Sequence, residues 1–177
     1  NFEKELEIIK YINGISFAVP FKKRKGLIIA ENELTEMLTF KSVDFKYLKN
    51  FYNLDHDDNV KNDNIPKIII GQITAQKLNV KKGDLVKIIS PLDQNLSFGV
   101  PRMKQCRISQ VFQTKVLDFD NQIVFVPEEV GNSLFVRKKI PDGIDLRLDG
   151  LTSLDVKDKI LDKFPYLNVS SWKDTHH

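Results

Sequence analysis

Cysteine is almost missing from this 177-residue chain: Cys106 is the only one. One sulfur can form neither an internal disulfide framework nor a thiolate metal cluster. Arginine is scarce too, 5 residues against 22 lysines. Arginine is the usual reader of phosphates and base edges, so a nucleic-acid partner is disfavoured. Long hydrophobic runs are also absent. Leu27-Ile28-Ile29-Ala30 and Ile68-Ile69-Ile70 fall far short of the ~18–20 apolar residues that span a bilayer. No transmembrane helix is expected in this stretch. The N-terminus is acidic and amphipathic, without the apolar core of a secretory signal. A chain that opens at Asn1 and closes on His176-His177 reads as a fragment of something longer. No Gly-rich phosphate loop, G-x-S-x-G elbow or H-E-x-x-H helix occurs, so the chain itself shows no sign of hydrolysing ATP, and no cofactor or metal is expected.

What is present is a globular composition, 41% hydrophobic and 29% charged with a net charge of +3, in a length that suits one ordinary domain or two small lobes. Phe2 to Asn13 has a helical apolar face and an Asn13-Gly14 stop. Ile15 to Arg24 and Gly26 to Glu31 look like strands joined by a basic turn, Lys22 to Lys25, with a third strand at Met37 to Val43. Phe45 to Tyr52 suits a short helix. Asn53 to Pro66 is an Asp/Asn-rich loop, either mobile or functional. Strands are then expected at 67–70, 85–90, 102–113, 122–126 and 143–148, and a last one at 167–172. Gln72 to Leu78 reads as a helix, Lys82-Gly83-Asp84 as a turn. Pro127 followed by Glu128 and Glu129 starts another helix. Thr152-Ser153-Leu154-Asp155 resembles a capping box ahead of a helix that Pro165 ends. The two chain ends are incomplete alone. Joined, they predict a discontinuous lobe, 1–45 with 137–177, carrying 46–136 as an inserted second lobe in an α+β protein.

Isolated features favour bland readings. Asp55-His56-Asp57-Asp58 has oxygens for a hard cation but no turned scaffold to converge them, and reads as a solvated loop. Cys106 alternates with Ile108 and Phe112 and reads as an inert core thiol. Lys22 to Lys25 read as a solvated turn, with contact to anionic lipid as the alternative. Trp172 is either an interfacial anchor or a core aromatic.

Pro91 to Pro101 is the unusual segment. Tight hairpins use two to five loop residues, whereas this one separates two strong strands by eleven and carries Leu96, Phe98 and Val100 where solvent is expected. Either these fold back on the body or they form an apolar tip awaiting a partner.

The runs Ile69-Ile70-Gly71, Thr74 to Asp84, Ile88-Ile89-Ser90-Pro91 and Pro101-Arg102, with Phe119-Asp120, Val126 to Glu129, Asp145 to Leu148 and Val169 to Asp174, resemble the periplasmic domain of the LolC/LolE-type permeases. These are membrane subunits of the Lol lipoprotein-releasing ABC transporter of Gram-negative bacteria. The resemblance implies an inner-membrane protein with this domain in the periplasm, a porter-like split α/β lobe from both termini and an inserted sabre-like β-rich lobe. It implies a cytoplasmic ATPase and a partner permease subunit, a lipoprotein cargo, and docking of the periplasmic carrier LolA. Carried over by position, Pro91, Leu96, Phe98, Gly99, Val100 and Pro101 occupy the carrier-binding hook, and Arg102, Met103 and Lys104 the supporting pad. The turn is one residue shorter than in the family, and Ser97 stands where Pro is frequent. LolC-type, LolE-type and combined subunits remain open. The alternatives are a MacB-like or FtsX-like permease domain, or a free-standing secreted binding module or hydrolase.

Overall fold

The computed structural model describes residues 2–56, 60–61, 63–95, 100–113, 122–135, 141–150 and 153–171. The chain divides into two compact units, Asn1–Pro20 with Gly143–His177 and Phe21–Asp142. Both are α+β. The division is discontinuous, as the termini predict, but its boundaries lie at 20/21 and 142/143 rather than at 45/46 and 136/137. The physical reason is strand pairing, because residues 21–43 hydrogen-bond into the sheet of the second unit.

In the first unit, helix α1 (Phe2–Lys10) is followed by strand β1 (Ile15–Ala30), of which residues 15–20 belong here. They pair with β7 (Gly143–Leu148). Ser16 Oγ donates to Arg147 O at 3.1 Å and Asp149 N to Gly14 O at 2.7 Å, an antiparallel progression. The last helix of the chain, Ser153–Lys163, lays Val156 and Ile160 against Ile9 and Ile12, with Phe164 completing the core. Leu167 and Val169 pack on that core but form no strand, contrary to the 167–172 expectation; residues 165–167 are turn and bend and 168–171 have no regular structure, and Trp172 lies outside the described residues.

The second unit is a closed barrel. Its strands are β1 (residues 21–30), β2 (Thr35–Val43), β3 (Lys67–Gly71), β4 (Leu85–Asn95), β5 (Val100–Phe112) and β6 (Ile123–Pro127). They run in the order β2-β6-β3-β5-β4-β1, and β1 returns to pair with β2, closing the ring. Closure leaves no edge strand. The β2–β6 and β3–β5 pairs are parallel; the others are antiparallel. Because strand side chains alternate, each strand sends at least two inward, among them Ile28 and Ala30, Leu38 and Phe40, Ile68 and Ile70, Val86 and Ile88, Cys106 and Ile108, Val124 and Val126. All are buried in one cluster. Helix α2 (Gln72–Leu78) adds Ala75 and Leu78, and helix α3 (Glu128–Leu134) adds Val130 and Leu134, with Phe135 beyond it. At the β3–β5 register shift Ser109 is the extra residue, and its hydroxyl donates to Ile68 O at 3.2 Å.

The expected basic turn at Lys22 to Lys25 does not exist, since β1 runs through it unbroken. Those four residues contain no turn former, and Gly26 sits inside the strand for a packing reason. A Cβ there would stand 2.5 Å from Phe40 Cε2 and 2.6 Å from Ile89 O. Gly131 is similar: its missing side chain leaves room for Ser42 of β2. The short helix expected at 45–52 shrinks to one 3-10 turn, Phe45–Tyr47, capped by Asp44, which accepts from Lys46 N at 3.1 Å. Downstream residues cover one side of the barrel: Leu48 and Leu54 are buried, and Tyr52 meets Phe125 at 5.1 Å between ring centroids. Lys41, buried on β2, lies 4.4 Å from the Phe21 ring and 5.3 Å from that of Tyr52, an arrangement in which the ring faces offset the desolvation of the ammonium.

Candidate functional site: the β4–β5 ribbon

The segment 91–101 is not a single long loop. β4 and β5 pair from Leu85↔Arg107 to Ser90↔Arg102, and the ladder resumes at Gln94↔Pro101 and Asn95↔Val100. Pro91, Leu92 and Asp93 are therefore three extra residues on one strand with none opposite, a large bulge. Pro91 has no N–H to offer the ladder, which suits it to such a position. Pairing of β4 with β1 ends at Ile89, and pairing of β5 with β3 begins at Arg107. Beyond those points β4 and β5 have only each other, so the ribbon continues past the ladder of the barrel. Bulges bend and re-aim the strand that carries them.

Of the hook residues, Val100 and Pro101 fall in the paired ribbon and Pro91 in its bulge; Leu96, Phe98 and Gly99 lie outside the described residues. The pad residues separate by strand geometry. Met103 is 54% exposed and stands opposite Ile89. Arg102 and Lys104 alternate to the other face. Arg102 is exposed and its Nη1 donates to Ser133 O at 3.4 Å, at the end of α3; Lys104 is half-buried opposite Ile88. Three consecutive residues on one strand thus supply two surfaces rather than one.

Cys106 is fully buried, and burial, the largest cause, pushes its thiol up to about 12. A group that stays protonated and inaccessible is a poor nucleophile. A disulfide reagent at pH 8 is expected to leave Cys106 untouched in the native chain and to titrate one thiol after denaturation; a fast native reaction would contradict the packing. Among the described residues no group of three or more His, Cys, Asp or Glu side chains could hold a metal ion. Asp57 and Asp58 lie outside the described residues, while the His56 ring meets that of Phe45 edge-on at 5.3 Å. A groove of about 440 Å³ beside α2 is lined by Gln72, Gln76, Asn79, Gln110, Lys81 and Lys82 together with the apolar Ala75, Val80 and Val111. No carboxylate or thiol lines it.

Sequence reasoning missed a polar cluster at the base of the ribbon. Asp63 accepts from Lys67 Nζ at 2.7 Å through Oδ1 and from Arg107 Nε and Nη2 at 3.1 and 2.8 Å through Oδ2. Arg107 also donates to Gly83 O at 2.7 Å. The Asp-x-x-x-Lys spacing of 63 and 67 was a faint signal; the partnership with Arg107 spans 44 residues and left none.

No family model matches the chain, and no curated protein matches it. Solved structures do. The extracellular domain of the noncanonical ABC-type transporter YknZ from Gram-positive bacteria aligns with a TM-score of 0.58 at 14% identity, covering 93% of this chain and 84% of that one. The periplasmic region of MacB from Actinobacillus actinomycetemcomitans aligns with a TM-score of 0.57 at 10% identity, covering 92% and 72%. At these identities the likeness is one of fold. No described helix is long and apolar enough to cross a membrane.

Proposed function

We propose that this chain is the periplasmic domain of an inner-membrane ABC-transporter permease of the lipoprotein-releasing type, and that the β4–β5 ribbon docks a LolA-type periplasmic carrier. On this reading the domain is not an enzyme. ATP hydrolysis belongs to a separate cytoplasmic subunit, a second permease subunit completes the complex, and the cargo is a lipoprotein leaving the inner membrane. One observation carries the docking claim: a proline-bounded, bulged ribbon continues past the barrel's ladder, and the residues that follow its first strand in sequence are Leu96-Ser97-Phe98-Gly99. The fold shared with the YknZ and MacB domains supports the wider permease reading.

Magnitudes set the form of the interaction. Burying one Phe contributes roughly 1.5–3 kcal/mol, while a micromolar complex needs about 8 kcal/mol. Phe98 therefore acts with the ribbon backbone, its apolar neighbours and Arg102, and a modest total suits a carrier that must also leave. Phe98→Asp is expected to weaken capture of purified carrier roughly ten- to a hundredfold, with the melting temperature of the chain unchanged. Capture at the wild-type level would sink the docking claim.

The similar fold of the MacB periplasmic region favours one second reading, an efflux-type permease domain with a different periplasmic partner. Loss of lipoprotein release in cells carrying Phe98→Asp supports the first reading. Intact release combined with loss of export of a small molecule supports the second.

A further inference from the structure

On the outer surface of the barrel the described residues differ in burial from side to side. Over β6, β3 and β5 the residues Ile69, Phe125 and Phe112 are buried. On the opposite side, cross-strand pairing lines up Met37↔Leu27, Leu27↔Ile89 and Ile89↔Met103, a single apolar row across β2, β1, β4 and β5. Its two ends are open: Met37 is 63% and Met103 54% exposed. Four strands at ~4.8 Å spacing make the row about 14 Å long, a span matched by roughly nine residues of helix.

The flanking rows on the same face fix the sign of the partner. One holds Lys25 opposite Thr39; the other runs Thr35, Ile29, Lys87 and Gln105. Both lysines are exposed, and neither row contains a carboxylate. The nearby acids Glu31 and Glu33 belong to the β1–β2 turn, and Glu36 alternates to the other face. We infer that this row is a docking surface for an acidic amphipathic segment of a partner protein, its apolar side chains seated between Met37 and Met103 and its carboxylates facing Lys25 and Lys87. Flexible methionines at both ends suit a surface that adapts to its ligand. A second copy of the chain fits poorly, because a two-fold contact would bring lysine against lysine. A membrane surface fits poorly as well, since two lysines and no aromatic fall below the usual basic cluster and aromatic anchor. Barrel closure leaves no free edge here, so recognition goes through side chains rather than strand addition.

The inference stands on the barrel face and does not require the carrier reading. Its test uses the 177-residue chain and a fluorescein-labelled helical peptide with Leu at i, i+4 and i+7 and Glu elsewhere. The same peptide with Lys for Glu and vesicles of phosphatidylglycerol and phosphatidylcholine serve as the other arms. Saturable binding of the acidic peptide is expected, weakened by salt and at least tenfold by Met37→Glu, by Met103→Glu or by Lys25→Glu with Lys87→Glu. These exposed positions are expected to leave the melting temperature in place, and the lysine pair keeps the test intact should a methionine variant misfold. The inference is overturned by equal binding of both peptides, by no binding, by row variants without effect, by vesicles binding where the peptide does not, or by a concentration-dependent dimer that Met37→Glu disperses.

Discussion

Gly26→Ala is expected to destabilise the barrel by about 3 kcal/mol, at the upper end of overpacking costs in a filled core. The site has no positive φ to explain its glycine; the constraint is space. A methyl group would meet Phe40 Cε2 at 2.5 Å on one side and the backbone oxygen of Ile89 at 2.6 Å on the other. An aromatic ring can tilt. The carbonyl cannot move without disturbing the antiparallel pairing of Leu27 with Ile89, which holds β1 to β4 and so keeps the ring closed. Urea denaturation should therefore show a lower midpoint with an unchanged slope. Phe40→Leu in the same chain relieves only one of the two contacts, so the double variant should recover part of what Gly26→Ala loses after the cost of Phe40→Leu itself is subtracted. A Gly26→Ala chain as stable as the parent would show that neither contact limits the site, and a full recovery would show that the ring rather than the carbonyl does.

The case of Gly26 also shows what the sequence could and could not tell. Alternating or continuous apolar runs marked β3, β4, β5, β6 and β7 because their burial pattern is local, and the Pro127-Glu128-Glu129 signal marked α3. Gly26 misled because a glycine next to four basic residues looks like a turn when Phe40, fourteen positions on, is out of view. The strand signal of 37–43 was read correctly, but nothing in it told which unit it joins; that depends on parallel pairing with β6, some eighty residues later. The discontinuous plan was legible from incomplete elements at both ends, and its boundaries were not. At the ribbon, the apolar and proline pattern drew attention to 91–101, yet periodicity could not reveal that pairing resumes after a three-residue bulge. The two-residue period of β5 sends Met103 into the apolar row and Arg102 and Lys104 to the other face.

Arg107→Leu and Lys67→Met are each expected to lower stability at neutral pH and to flatten the acid limb, Lys67→Met more than Arg107→Leu. The two outcomes follow from how Asp63 is held. Its carboxyl is lowered to about 2, first by the hydrogen bond from Lys67, then by Arg107 and the Ile65 amide, against opposing desolvation. In the unfolded chain the same group titrates near 4. A carboxylate whose pKa is depressed by folding contributes stability that is fully present above the unfolded value and is lost as pH falls from about 4 through about 2. Asp63→Asn should abolish this contribution and give a flatter profile across that window. Arg107 plays a second part as well: nearly buried, it joins Asp63 to the Gly83 carbonyl, and its removal leaves that acceptor and the second carboxylate oxygen short of a donor, a loss of about 1–3 kcal/mol at neutral pH. Because Arg107 sits where β5 leaves its partner β3 to enter the ribbon, the same substitution should raise amide hydrogen exchange in residues 63–65 and at Ile108, whose N–H donates to Asp84 O. Equal acid limbs in Lys67→Met and the parent would show that Lys67 does not hold Asp63, and unchanged exchange in Arg107→Leu would show that the guanidinium does not tie the loop to the base of the ribbon.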